Sequence, residues 1–310
     1  MRVLVTGGAG FIGSHSVDLL LAQGHQVRVL DNLASGKRDN LADHPALELR
    51  VGDIRDAETV ADAFEGVDAV LHLAAQVFVP TSIEQPAFSG SVNIAGFVNV
   101  LDAARRAGVR RFAYASSAAV YGVPDALPVS EATPPSALSP YALEKLVNDQ
   151  YARLFNELYG MSTCGLRYFN VYGPRQDPRS AYSGVISKFC ERVAAEAPLT
   201  VFGDGLQTRD FIAVADVARA NLAALTGTTT GVVNVATGTS VTLLQLIEAL
   251  GALVGRSLVV DHAAPRPGEV RDSSVSPARL AHDLGVPAQS TLEQGLRSLL
   301  SSLGVACVEA

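Results

Sequence analysis

Tyr141 and Lys145 stand four residues apart in the stretch Tyr141-Ala-Leu-Glu-Lys145. Residues at that spacing are neighbours on one helix face, so the pattern sets a phenol beside an ammonium. A phenol is a poor base near neutrality, because its ordinary pKa is about 10. A nearby cation favours the phenolate, and each pH unit of lowering corresponds to about 1.4 kcal/mol. Ser117 closes an apolar run upstream and is placed to share a hydrogen bond with a substrate hydroxyl. Together the three side chains would move a proton on and off an alcohol. A bare YxxxK pattern is common by chance, and its plain alternative is an exposed helix face. Its place in the chain decides between the two.

A second chemical signal lies at the start. Gly7, Gly10 and Gly13 follow the apolar run Val3-Leu4-Val5-Thr6 with GxxGxxG spacing. A strand that turns tightly into a helix around a pyrophosphate needs residues without Cβ at such points. The helix N-terminus then offers free N–H groups and partial positive charge to the phosphates. Asp31 ends the next strand about twenty residues on, where a carboxylate accepts hydrogen bonds from ribose hydroxyls. It would repel a 2′-phosphate, so the cofactor expected is NAD rather than NADP. Asp53, after the third strand, either meets the adenine amine or caps a helix. An oxidised nicotinamide ring would add positive charge beside Tyr141.

The elements that must carry these groups follow from periodicity. Strands are predicted over Val3–Thr6, Val27–Leu30, Leu47–Val51, Ala69–Leu73, Arg111–Ala115 and Thr163–Arg167. Helices are predicted over Phe11–Gln23, Ala57–Phe64, Ser91–Ala107 and Tyr141–Tyr159, with Gly24, Gly108 and Gly160 as stops. Short apolar strands alternating with helices imply a parallel sheet covered on both faces. The fold class expected is therefore α/β, a doubly wound parallel sheet of Rossmann type. After Tyr168 the rhythm breaks. Val185–Ala195 and Leu243–Val254 look helical, and Ala264–Ser276 looks irregular. The domain expectation is a dinucleotide-binding unit over 1–170 with returns near 207–240, including strands at Asp210–Val214 and Gly231–Val235. A smaller interleaved C-terminal substrate lobe would take 171–206 and 241–310.

Composition excludes several classes. With 310 residues, 48% hydrophobic, and net charge −7 without a basic stretch, the chain is a poor nucleic-acid binder. No apolar run reaches the length of a membrane span. The strand at Val3 begins too soon for a secretion signal, so a cytoplasmic protein is expected. Cys164, Cys190 and Cys307 are scattered, and neither they nor the six histidines show metal-ligand spacing, so no metal is expected.

With these residues in place, the chain resembles the extended short-chain dehydrogenase/reductase family, and within it the UDP-sugar 4-epimerases. The similarity rests on TGGAGFIG (Thr6–Gly13), DNL (Asp31–Leu33), GDIRD (Gly52–Asp56), HLAA (His72–Ala75) and ASSAAVYG (Ala115–Gly122). It continues through SPYALEK (Ser139–Lys145), LRYFNVYGPRQDP (Leu166–Pro178), FGDGLQTRDFI (Phe202–Ile212) and RPGEVRDSSVS (Arg266–Ser276). The resemblance implies tightly bound NAD and an epimerisation at C4 through a transient 4-keto sugar. Tyr141 would be the base, Ser117 would hold the 4-oxygen, and Lys145 would also bind the nicotinamide ribose. Further cofactor contacts implied are Phe11, Ile12, Asn32, Ile54, Leu73, Ala74, Ala75 and Tyr168. On the UDP-sugar side the resemblance points to Asn170 at the diphosphate, Arg209 and Arg266 neutralising it, and Glu269 at the uridine ribose. A homodimer through helices matching Ser91–Ala107 and Tyr141–Tyr159 is implied as well.

One position bears on which sugar. Where hexose-restricted relatives carry a bulky tyrosine, this chain has Ser273, as relatives that take N-acetylated sugars have a small residue. The resemblance therefore implies UDP-GlcNAc/UDP-GalNAc, with UDP-Glc/UDP-Gal activity remaining; the alternative is an incidental small loop residue. Sugar 4,6-dehydratases carry Thr-Asp-Glu where this chain has Ser117-Ala118-Ala119, and UDP-glucuronate decarboxylases also keep a glutamate at Ala119, so both chemistries are disfavoured. A UDP-uronate 4-epimerase and a catalytically idle NAD-binding sensor stay open, although Ser117, Tyr141 and Lys145 argue against idleness.

Overall fold

A computed structural model describes residues 1–177, 184–265 and 271–308. The chain opens with β1 (Arg2–Thr6), α1 (Phe11–Ala22), β2 (Gln26–Asp31), β3 (Leu47–Val51), α2 (Ala57–Ala63) and β4 (Ala69–His72). Three short helical pieces follow: α3 (Val79–Glu84), α4 (Pro86–Gly90) and a π-helical segment over Ser91–Gly96 that runs into α5 (Phe97–Arg106). The single helix expected over Ser91–Ala107 is thus the end of a longer, broken helical path. Pro80 and Pro86 lie in the first turns of α3 and α4, where proline's missing N–H costs nothing and its fixed φ suits the helix. Next come β5 (Arg111–Ser117), α6 (Pro140–Tyr159) and β6 (Ser162–Tyr168). Helix α6 starts where Ser139 accepts a hydrogen bond from Ala142 N and Pro140 opens the first turn, and it stops at left-handed Gly160.

The second half contributes β7 (Asn170–Tyr172), α7 (Val185–Ala194), β8 (Leu199–Phe202), β9 (Thr208–Ala213), α8 (Val214–Thr226) and β10 (Gly231–Val235). It ends with β11 (Ser240–Thr242), α9 (Leu243–Val254), β12 (Val260–Ala263), α10 (Ala278–His282) and α11 (Leu292–Ser302).

Seven strands form one sheet in the order β10-β6-β5-β4-β1-β2-β3, every pair parallel. This is the doubly wound arrangement expected, and its crevice opens at the carboxyl ends of the strands. Both faces are covered: α1 and α8 pack on one, under Val3, Val5, Val29 and Leu71. On the other, α5 buries Phe97, Val100 and Leu101 against Leu4, Val70 and Phe112. The Gly231–Val235 expectation holds, since β10 takes the free edge of β6. The Asp210–Val214 expectation is corrected. That segment is a strand, β9, but it lies in a separate three-stranded sheet, β11-β9-β7. An edge strand accepts one new neighbour, and β10 already occupies that place beside β6. A pair of parallel strands, β8 and β12, and helices α7, α9 and α11 enclose a third core around Phe189, Leu199, Leu246 and Leu296. Among the described residues no helix is long and apolar enough to cross a membrane, and no His, Cys, Asp and Glu cluster could hold a metal ion.

Candidate active site

The glycine turn sits where β1 delivers it. Gly7 has φ +70°, and a Cβ there would stand 2.6 Å from Ala74 N, so the turn lies directly on the loop after β4. At Gly13 a Cβ would overlap the Gly7 carbonyl oxygen and come within 2.8 Å of Gly8 Cα. Gly10 is the N-cap residue of α1 and brings no side chain to the amides of the first turn, which begins at Phe11 and Ile12. A bare cradle under an uncapped helix terminus fits a dinucleotide pyrophosphate.

Asp31 is buried. Its Oδ2 accepts from Ala9 N at 3.0 Å and its Oδ1 from Leu33 N at 2.8 Å. The acid pins the glycine turn from below, a task sequence reasoning missed. A carboxylate offers about four acceptor positions, so capacity for ribose hydroxyls remains. Asn32 donates to Asp53 Oδ2 at 3.1 Å. Arg55 grips Asp53 with Nη2 at 2.7 Å and Nε at 2.9 Å, which holds that carboxyl well below the usual range. Of the two readings for Asp53, capping is the one its bonds do not support. The α2 cap is Asp56, accepting from Glu58 N and Thr59 N. Ile54 is buried against Gly96 of the π-helical segment. Leu73 N donates to Thr6 O and Ala74 N to Thr6 Oγ1, fixing the loop that continues through Ala75. Tyr168 gives its hydroxyl to Asn221 Oδ1 at 2.6 Å, so only its ring and backbone are left to face a cofactor.

Above this cradle lie the reacting groups. Ser117 ends β5, and its Oγ accepts from Ala119 N at 3.2 Å. The Tyr141 phenol lies close enough to Ser117 for that hydroxyl to favour the phenolate. Lys145 is buried, donates from Nζ to Ala115 O at 3.1 Å, and lies 5.9 Å from the Tyr141 ring centroid. Burial pulls the Lys145 ammonium down to about 8 against the opposing pull of Asp149 and Glu144. Burial also pushes the phenol above its ordinary value; the Ser117 hydroxyl opposes this and Glu144 adds to it. The expectation that the ammonium makes the phenol acidic is therefore corrected for the protein taken alone. The cation sits over the ring, bonded to a backbone carbonyl, while desolvation acts on the oxygen itself.

Behind the pair lies a network with no motif to announce it. Glu144 is 4% exposed and accepts from Ser89 Oγ at 2.8 Å and Asn93 Nδ2 at 2.6 Å. Asn93 also pairs with the backbone of Gln76 in both directions, at 2.8 Å each way. Ser82 Oγ accepts from Tyr141 N at 3.1 Å. Asp149, one turn beyond Lys145, is ion-paired with Arg167 at 3.0 Å. His72 bonds Thr6 Oγ1 at 2.9 Å, and burial, helped by Lys145, lowers it to about 3.

The β11-β9-β7 sheet gathers most of the expected sugar-nucleotide residues. Asn170 Nδ2 donates to Asp210 O at 2.8 Å. Arg209 Nη1 donates to the carbonyls of Thr208 (2.7 Å) and Arg271 (3.2 Å). Ser273 N donates to Thr208 Oγ1 at 3.1 Å, and its carbonyl accepts from Ser240 Oγ. Val275 pairs with Val129 of the loop before α6. Arg266 and Glu269 lie outside the described residues. A strap from the Gly173–Asp177 loop reaches α1, where His15 Nε2 donates to Pro174 O at 2.9 Å and Arg175 pairs with Asp18 at 2.7 Å.

Comparison with known proteins gives one consistent result. Residues 3–236 match the NAD dependent epimerase/dehydratase family. The chain is 40% identical over 304 residues to the UDP-glucose 4-epimerase of Mycolicibacterium smegmatis, covering 96% of each chain. Among solved structures it is similar to the UDP-N-acetylglucosamine 4-epimerase of Methanobrevibacter ruminantium in complex with UDP-N-acetylmuramic acid. That match has TM-score 0.94 and 35% identity over 97% of both chains. The Thermus thermophilus UDP-glucose 4-epimerase complex with NAD matches with TM-score 0.90 and 40% identity, covering 98% of this chain and 99% of that one.

Proposed function

The chain belongs to the NAD dependent epimerase/dehydratase family, and from that premise we propose that it inverts C4 of a UDP-hexose, with UDP-GlcNAc/UDP-GalNAc as the preferred pair. The single observation that carries the reaction type is the meeting of Ser117, Tyr141 and Lys145 above a glycine cradle that touches the loop after β4. NAD, which the glycine turn and Asp31 would hold, would supply a hydride acceptor and donor for C4. Tyr141 removes the hydroxyl proton and gives it back. Ser117 holds the reacting oxygen through the hydroxyl that faces the phenol. Lys145, on the same helix face, supplies positive charge and reaches toward a ribose. The protein alone holds the phenol above its ordinary pKa, and an oxidised nicotinamide bound beside it would add positive charge that favours the phenolate.

Asn170 and Arg209 suit a diphosphate, since guanidinium forks match its oxygens; Arg266 and Glu269 complete this set by resemblance. Ser273 supports the acetamido preference, because a tyrosine there would fill volume that a 2-acetamido group needs. The Methanobrevibacter relative, which carries an N-acetylated sugar nucleotide, is in keeping with that choice. A homodimer is supported by α6, which exposes Leu143, Tyr151, Leu154 and Leu158 at one- to two-turn spacing while Ala142, Lys145, Asn148 and Asp149 are buried. Incubating the purified protein with UDP-GlcNAc and separating the products tests the proposal. UDP-GalNAc formed without added reductant is expected; its absence, with UDP-Glc converted normally, overturns the acetamido preference, and inactivity on both overturns the reaction type.

A further inference from the structure

Glu144 is a buried carboxylate that the proton chemistry above does not use. The partners that hold it are neutral, Ser89 Oγ and Asn93 Nδ2. A buried carboxyl needs its hydrogen bonds satisfied, and these two side chains provide them from a different part of the fold. Its position says what it could do. Glu144 immediately precedes Lys145 and lies within the same turn as Tyr141. Asn93, its stronger partner by distance, sits inside the π-helical segment, and such widened turns are frequent at functional sites. The same Asn93 amide binds the Gln76 backbone on both sides, directly after the Leu73-Ala74-Ala75 loop that abuts Gly7. One carboxylate therefore ties the helix that carries the base to the loop beside the cofactor cradle.

We propose that Glu144 is a positioning residue, fixing the Tyr141 phenol and Lys145 ammonium against the strand-end loop and sharing with Asp149 the buried negative charge that faces Lys145. This rests on the functional assignment above. The charge influence is visible in both neighbours, because Glu144 raises the pKa of each. The other titratable groups facing them are His72 from β4 and Asp149 on α6, with Arg167 from β6 and Tyr114 from β5 behind Asp149. The α3, α4 and π-helical pieces contribute Ser82, Ser89 and Asn93, none of them titratable.

The test compares Glu144→Gln, Glu144→Asp and Tyr141→Phe with the unaltered holoenzyme over pH. Glu144→Gln keeps the shape and removes the charge. Its kcat should fall roughly 10- to 100-fold, the loss expected of a base slightly misplaced, with KM within about threefold. Both limbs of its kcat–pH profile should move to lower pH. Glu144→Asp should leave the limbs in place and recover part of kcat. Limbs of Glu144→Gln that coincide with those of the unaltered enzyme overturn the proposal, whatever the rate. Should Glu144→Gln not fold, Ser89→Ala removes one partner and keeps the charge; a drop in kcat with KM held supports the proposal, and an unchanged kcat overturns it. Near-normal turnover by Tyr141→Phe would sink the functional assignment itself. An inactive Tyr141→Phe beside a silent Glu144→Gln would sink only the role of Glu144.

Discussion

Lys145 holds a charge that the fold resists, and its removal should make the protein more stable while silencing it. The ammonium is brought from an ordinary value of 10.5 to about 8 by burial. At about 1.4 kcal/mol per pH unit, that difference amounts to about 3 kcal/mol of disfavoured charge in the folded state. Lys145→Met relieves it and leaves the Ala115 carbonyl without its donor, which costs about 1 kcal/mol. The net expectation near pH 7 is a gain of about 2 kcal/mol. Its dependence on pH has a definite sign. Below pH 8 folded and unfolded chains both carry the proton, and the folded state bears the whole penalty. Between about 8 and 10.5 the folded chain sheds its proton while the unfolded chain keeps it, so the penalty fades, and above 10.5 it is gone. Urea unfolding of nucleotide-free protein at pH 7 and pH 10 reads this directly. With a slope of roughly 3 kcal/mol per molar urea, the midpoint of Lys145→Met should lie about 0.7 M higher at pH 7 and approach that of the unaltered chain at pH 10. A variant less stable at pH 7, or a gap that ignores pH, would refute the electrostatic account. Epimerase turnover of the same variant should drop by orders of magnitude, a stability–activity opposition of the usual kind.

Three further outcomes follow from the geometry. Gly13→Ala would drive a Cβ into the Gly7 carbonyl and should cost about 1–3 kcal/mol of stability together with most retained NAD; nucleotide absorbance equal to that of the unaltered protein after gel filtration would argue against the cradle. Ser273→Tyr should suppress turnover of UDP-GlcNAc and spare UDP-Glc, whereas equal loss on both would mean that the residue does not line the pocket. His72, lowered from 6.5 to about 3, stays neutral in the fold while the unfolded chain takes up a proton. Stability is intact above pH 6.5 and falls by about 1.4 kcal/mol per unit on acidification toward 3. His72→Phe, which loses the Thr6 bond at about 1 kcal/mol, should be weaker at pH 7 and overtake the unaltered chain at about pH 5.8. Parallel stability–pH curves would refute this.

The sheet was legible in the sequence because apolar runs and glycine stops mark its strands and helices locally. The glycine turn, Asp31 and the Tyr141/Lys145 spacing were legible for the same reason: short-range geometry fixes them. What escaped was set by distant partners. The strand over Asp210–Val214 was visible, but nothing near it says that β10 claims the edge of β6 and sends β9 elsewhere. Helix α8 went unmarked although it covers the sheet beside α1. The break in the helical path before α5 was signalled by Pro80 and Pro86, whereas the widened turn at Asn93 leaves no period to detect. Glu144 reads as one more polar helix residue, and only the fold reveals that Ser89 and Asn93 enclose it. The pKa of Tyr141 was misjudged because spacing shows a cation nearby and cannot show how dry the oxygen is.

The segment around Ser273 is sewn down on two sides. Its own N–H and carbonyl are held from β9 and β11, while Ser274 O and Ser276 N are bonded to Val129. None of those four bonds uses the side chain at 273. A codon change there leaves the supporting frame undisturbed, and on the proposed assignment of Ser273 to the sugar pocket it would change only the width of that chamber. Selection could therefore widen or narrow the diet of such an enzyme one replacement at a time, with no intermediate that must refold.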